Sequence, residues 1–132
     1  MSVERFDPDA VKGRVSQADL QRLLDASAHL DVPDFGLSSA EAARLAAVSR
    51  HPDVDWQAPL AGLDDGELLA LIRLFTLAEG ALPGWQAGAK SPVIVLAAAL
   101  RQRDAYPREI TAWIKANTDN RFLPYGDLMA RL

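Results

Sequence analysis

A chain of 132 residues fits one domain better than two, and with 49% apolar residues it has enough for a core without covalent staples. It has no cysteine, which excludes disulfides, thiolate metal sites and a cysteine nucleophile. The net charge of −4 argues against general nucleic-acid binding, yet residues 1–66 carry 12 acids and 6 bases whereas residues 67–132 carry 6 and 8, which leaves room for a local anion site.

Residues 1–14 show no helical period, and Asp7-Pro8-Asp9 and Gly13 read as turns; they form an N-terminal arm, loose or laid against the body. A first helix is predicted over 16–30. Ser16 is its cap, Asp19 complements its positive end, and Leu20, Leu23, Leu24 and Ser27 or Ala28 form its inner stripe. Pro33 excludes helical geometry just before it and ends the element.

Ser38 and Glu41 form a capping box for a second helix to about Arg50, with small inner residues Ala42, Leu45 and Ala46. Residues 51–63 then read as a long connection whose Trp56 folds back onto the body. Asp64 and Glu67 open a third helix, to about residue 80. It is apolar nearly all round, which marks it as central, and Arg73 and Glu79 are its exceptions.

A Gly-rich loop over 81–90 leads to Ser91-Pro92, a cap followed by proline at the first helical position, and to a second buried helix over about 92–104. A fifth helix is predicted from Pro107 to about Thr118, with Ile110, Trp113 and Ile114 on one face. A final turn or short helix carries Leu128, Met129 and Leu132. The predicted fold is all-α: one domain over 1–132, an irregular bundle of five to six helices around the two apolar ones at about 64–80 and 92–104. A pair of stacked αα-hairpins is the alternative arrangement.

Three segments invite a chemical reading. Gly84 to Ser91 has the spacing of a phosphate-binding loop, but Ala89 replaces its second glycine, a helix precedes it, and Pro92 removes an N–H from the following turn. What survives is the start of the 92–104 helix, where Lys90 and Ser91 sit beside free N–H groups and could receive an anion or a partner's carboxylate. The second segment is 113–125, where Asn117, Asn120, Arg121 and Tyr125 are dense in hydrogen-bonding groups, and Arg121 could clamp a carboxylate or phosphate. The competing reading makes these residues cap and turn chemistry. The third, His51-Pro-Asp53-Val-Asp55, is too poor in ligands for zinc and does not follow the calcium-loop pattern.

No nucleophile elbow or acid–base set is evident, so no catalytic residues are assigned, and no cofactor or metal is expected. The leading expectation is a helical interaction or regulatory module, with a protein partner or self-association through Trp85 and the 117–126 segment. The alternative is a small-molecule or anion-binding protein, including an enzyme, with a pocket between 84–91 and 117–126 built on Lys90, Asn120, Arg121 and Tyr125. Nucleic-acid binding through Arg101, Arg103, Arg108, Lys115 and Arg121 is a third, opposed by the acidic N-terminal half. The charged start and the absence of an apolar run of the ~18 residues needed to span a bilayer give a cytosolic expectation. The Ala-, Leu- and Arg-rich composition points to a bacterial source.

Overall fold

The computed structural model describes residues 15–50 and 56–124. These form six α-helices and no strand: α1 (Gln17–Ser27), α2 (Ser39–Arg50), α3 (Gln57–Ala61), α4 (Asp65–Ala81), α5 (Pro92–Gln102) and α6 (Ile110–Asn117). Short 3-10 turns occupy Pro33–Gly36 and Gly88–Lys90. The all-helical prediction and its two central helices are observed: α4 packs most extensively against α5, then α1, and also touches α6.

The helix starts follow from local chemistry. Ser16 Oγ accepts from the Asp19 N–H at 3.0 Å, and Ser91 Oγ accepts from the Val93 N–H at 3.2 Å. Ser38 and Glu41 bond reciprocally, the Ser38 N–H to Glu41 Oε1 at 2.9 Å and the Glu41 N–H to Ser38 Oγ at 3.1 Å. Asp64 and Glu67 repeat that box at 2.7 and 3.0 Å. Each pair satisfies two N–H groups that a helix start leaves without partners.

One apolar cluster runs through the described residues. Helix α4 contributes Leu68, Leu71, Ile72, Leu74, Phe75 and Ala78, and α5 contributes Val93, Leu96, Ala97 and Leu100. Phe75 is the aromatic centre, with Trp56 edge-on at 5.9 Å and Trp85 tilted at 5.8 Å between ring centroids. Trp56 thus folds back as expected. Arg103 ties the end of α5 to the neighbouring helices by donating to the carbonyls of Leu63 at 2.7 Å and Leu60 at 2.9 Å, while approaching Asp65 at 3.2 Å.

Some boundaries differ from expectation. The 51–63 connection contains the five-residue α3, whose Pro59 sits in the first turn, where a missing N–H costs nothing. Helix α1 ends at Ser27, and its stripe is completed by Ala26 rather than by the exposed Ala28. Helix α6 starts at Ile110 instead of Pro107, after Asp104 adopts a left-handed φ of 60°. Residues 1–14, and the final turn expected around Leu128, lie outside the described residues. Among the described residues no helix is long and apolar enough to cross a membrane.

Candidate functional site

Helix α4 is apolar around most of its surface, and its two charged exceptions in the body both face the α6 side of the molecule. The Arg73 guanidinium lies 5.8 Å from the centre of the Trp113 ring. Glu79 is only 6% exposed and meets the segment that follows α6. That segment leaves the helix because Thr118 adopts an extended conformation, with φ −151° and ψ 149°.

Three pieces of chain meet at Glu79. Its Oε1 accepts from the Thr118 hydroxyl at 2.9 Å and its Oε2 from Asn120 Nδ2 at 3.0 Å. The same Asn120 nitrogen donates to the Gly88 carbonyl at 3.0 Å. Asn120 Oδ1 accepts from the Phe122 N–H at 3.0 Å, and Thr118 Oγ1 accepts from the Asn120 N–H at 3.1 Å. The amide orientation of Asn120 is therefore fixed, since reversing it would set oxygen against both a carboxylate and a carbonyl. Gln86 Nε2 donates to the Glu79 carbonyl at 2.6 Å, satisfying an acceptor that the end of α4 would otherwise leave open.

Beside this junction lies a cavity of about 830 Å³. Glu79, Gly80, Gln86 and Gly88 line one side and the 115–122 segment lines the other. The two segments singled out in the sequence are thus in contact. Gly88 has φ 57°, a left-handed conformation that glycine adopts without steric cost, and this turn presents its carbonyl to Asn120. The half-buried Phe122 supplies an apolar patch, while Lys115, Asp119 and Arg121 are exposed at the margin.

The sequence-derived site residues separate into distinct groups. Asn120 stands at the junction, and Asn117 and Arg121 line the cavity. Asn117 also donates to the Trp113 carbonyl at 2.8 Å, and so serves the helix end as the cap reading expected. Arg121 forms no ion pair among the described residues. Lys90 is exposed but does not line the cavity. Ser91 is 4% exposed, and its hydroxyl is engaged by the Val93 N–H, so it serves as an internal cap.

Trp85 corrects the expectation of a surface anchor. It is 1% exposed, packs at a tilt against Phe75, and donates its indole N–H to the Ala42 carbonyl at 3.0 Å. The small side chains of α2 leave room for that ring, so its loop position does not expose it. Tyr125 and the His51–Asp55 cluster lie outside the described residues. Among the described residues no group of three or more His, Cys, Asp or Glu side chains converges to hold a metal.

Glu79, Gln86 and Thr118 were not singled out as site residues. The available signal was an acid near the end of an otherwise apolar helix, but its partners lie 39 and 41 positions further along the chain. Compared with protein-family models, curated proteins and solved structures, the chain matches none of them.

Proposed function

We propose that this domain binds a small polar molecule in the cavity between the end of α4, the Gly88 turn and the 115–122 segment. The observation that carries this reading is the convergence of polar groups from three chain segments on a volume of about 830 Å³, within the range usual for small-molecule sites. The cross-links through Glu79 and Asn120 hold the walls in place without a ligand, and a preformed site saves the ordering cost of binding.

The reading as a protein-interaction module has less behind it. Its aromatic anchor, Trp85, is a core residue, and the one large hydrophobic side chain strongly exposed among the described residues is Val32, at 40%. Interface anchors are commonly aromatic or arginine side chains seated at the centre of a contact, which leaves Arg121 as the remaining candidate at this surface. Nucleic-acid binding loses support as well, because Arg103 is committed to internal carbonyls and the Arg101 guanidinium lies 5.4 Å from the Tyr106 ring centre.

The test is a nuclear magnetic resonance screen of the full 132-residue chain against a set of small polar compounds. Binders are expected to move the amide signals of Gly80, Gln86, Gly88 and 115–122 in a saturable way. Hits that map to other surfaces, or an absence of saturable hits, would overturn the proposal.

A further inference from the structure

We infer that the cavity recognises a positively charged group, the ammonium or guanidinium of a small amine, through the carboxylate of Glu79. This rests on the reading of the cavity as a ligand site and names the chemistry of its ligand. Three observations lead to it. Glu79 is more than nine-tenths buried, yet it lines the cavity. Its side-chain oxygens accept hydrogen bonds from two neutral donors, the Thr118 hydroxyl and the Asn120 amide. No Lys, Arg or His lies within ion-pair distance of it among the described residues.

A carboxylate offers about four acceptor positions, so two donors leave roughly half of its capacity unused. Burying such a group is costly unless a charge of opposite sign accompanies it. Around Glu79 the cavity lining carries the acid Asp119 and the bases Lys115 and Arg121, so the preference for a cation rests on the buried Glu79 carboxylate itself. The side chains of Lys115 and Arg121 are not paired with Glu79. An ammonium or guanidinium placed against Glu79 supplies donors to the unused lone pairs and the missing opposite charge together. Charge-assisted bonds of this kind are the stronger class of hydrogen bond.

The experiment titrates the isotope-labelled full chain with four probes that share one alkyl chain: n-butylammonium, n-butylguanidinium, n-butanol and butyrate, all at matched ionic strength. The two cations are expected to saturate the amide shifts of Gly80, Gly88 and 118–122 at concentrations at least about tenfold below those needed for butanol or butyrate. Glu79→Gln is expected to erase that preference. Because glutamine cannot accept from Asn120 and Thr118 as a carboxylate does, the wild-type probe series decides the matter if this variant is poorly folded. Butanol or butyrate saturating the same amides as tightly as the cations would overturn the cation inference and leave the cavity as a ligand site. Retention of cation preference in a folded Glu79→Gln chain would also overturn it. If no probe saturates these amides, neither the inference nor the ligand-site reading survives.

Discussion

Asn120 makes contacts that no smaller side chain reproduces: it donates to Glu79 and to Gly88 and accepts from Phe122. Replacing it with alanine leaves a buried carboxylate oxygen and a carbonyl short of a donor. Asn120→Ala is therefore expected to cost about 1–3 kcal/mol in stability, measured by urea unfolding; a loss below the error of that measurement would show that the junction is not rigid. A second residue-scale prediction concerns Glu41, whose carboxylate is held at about 2 from an ordinary 4.5, first by the hydrogen bond from Arg22 and then by the Ser38 N–H. A depressed carboxylate contributes stability that is fully present above its unfolded value and is lost as pH falls toward its folded one. The melting temperature should thus fall between about pH 4.5 and 2, and Glu41→Gln should flatten that limb. The effect should be small, because the Arg22–Glu41 pair is about a third exposed to solvent, which screens it. An unchanged slope in the variant would contradict the assignment.

At the scale of elements, four helix starts were legible because their chemistry is local: Ser16, Ser38, Asp64 and Ser91 each bond an N–H two or three residues ahead. Asp64→Ala should cost about 1 kcal/mol, read as a shift in the urea midpoint, since it removes one half of the capping box at the head of the central helix. The elements that escaped the sequence depend on distant contacts. Helix α3 was hidden by Pro59 and Gly62, and its carbonyl ends are satisfied by Arg103, some 40 residues later. The Pro33–Gly36 turn places Asp34 and Phe35 at φ 58° and 55°, which local propensity disfavours and which burial of the Phe35 ring offsets. Trp85 failed for the same reason, because its position on a Gly-flanked loop says nothing about the gap over Ala42 that it fills. Trp85→Ala should accordingly destabilise the domain by about 3–5 kcal/mol, as large-to-small changes in a packed core do; a surface-like cost below about 0.5 kcal/mol would contradict its core role. The candidate site was legible only as two segments, since Asn117, Asn120 and Arg121 declare themselves by composition while Glu79 is identified by partners that the fold supplies.

At the scale of the whole molecule, a single apolar cluster links helices α1 through α6, and the cavity sits at one margin of it, where the end of α4 meets the chain beyond α6. The core fixes the end of α4 and the fully buried Leu123, and the polar junction between them holds the cavity open. Access to the cavity and stability are therefore separable at Gly80. This glycine is helical, exposed and at the cavity wall, and a Cβ built there meets nothing within 4 Å. Gly80→Phe should place a ring in the cavity while raising helix propensity, so stability should hold or rise by up to about 1 kcal/mol. The most direct measurement is the small-molecule screen run in parallel on the wild-type chain and on Gly80→Phe, with the melting temperature of each recorded. The predicted result is saturable binding that maps to Gly88 and 115–122 in the wild type and disappears in a variant that melts no lower. Binding that persists unchanged in Gly80→Phe, or that maps away from these residues, would contradict the assignment of the cavity as the functional site.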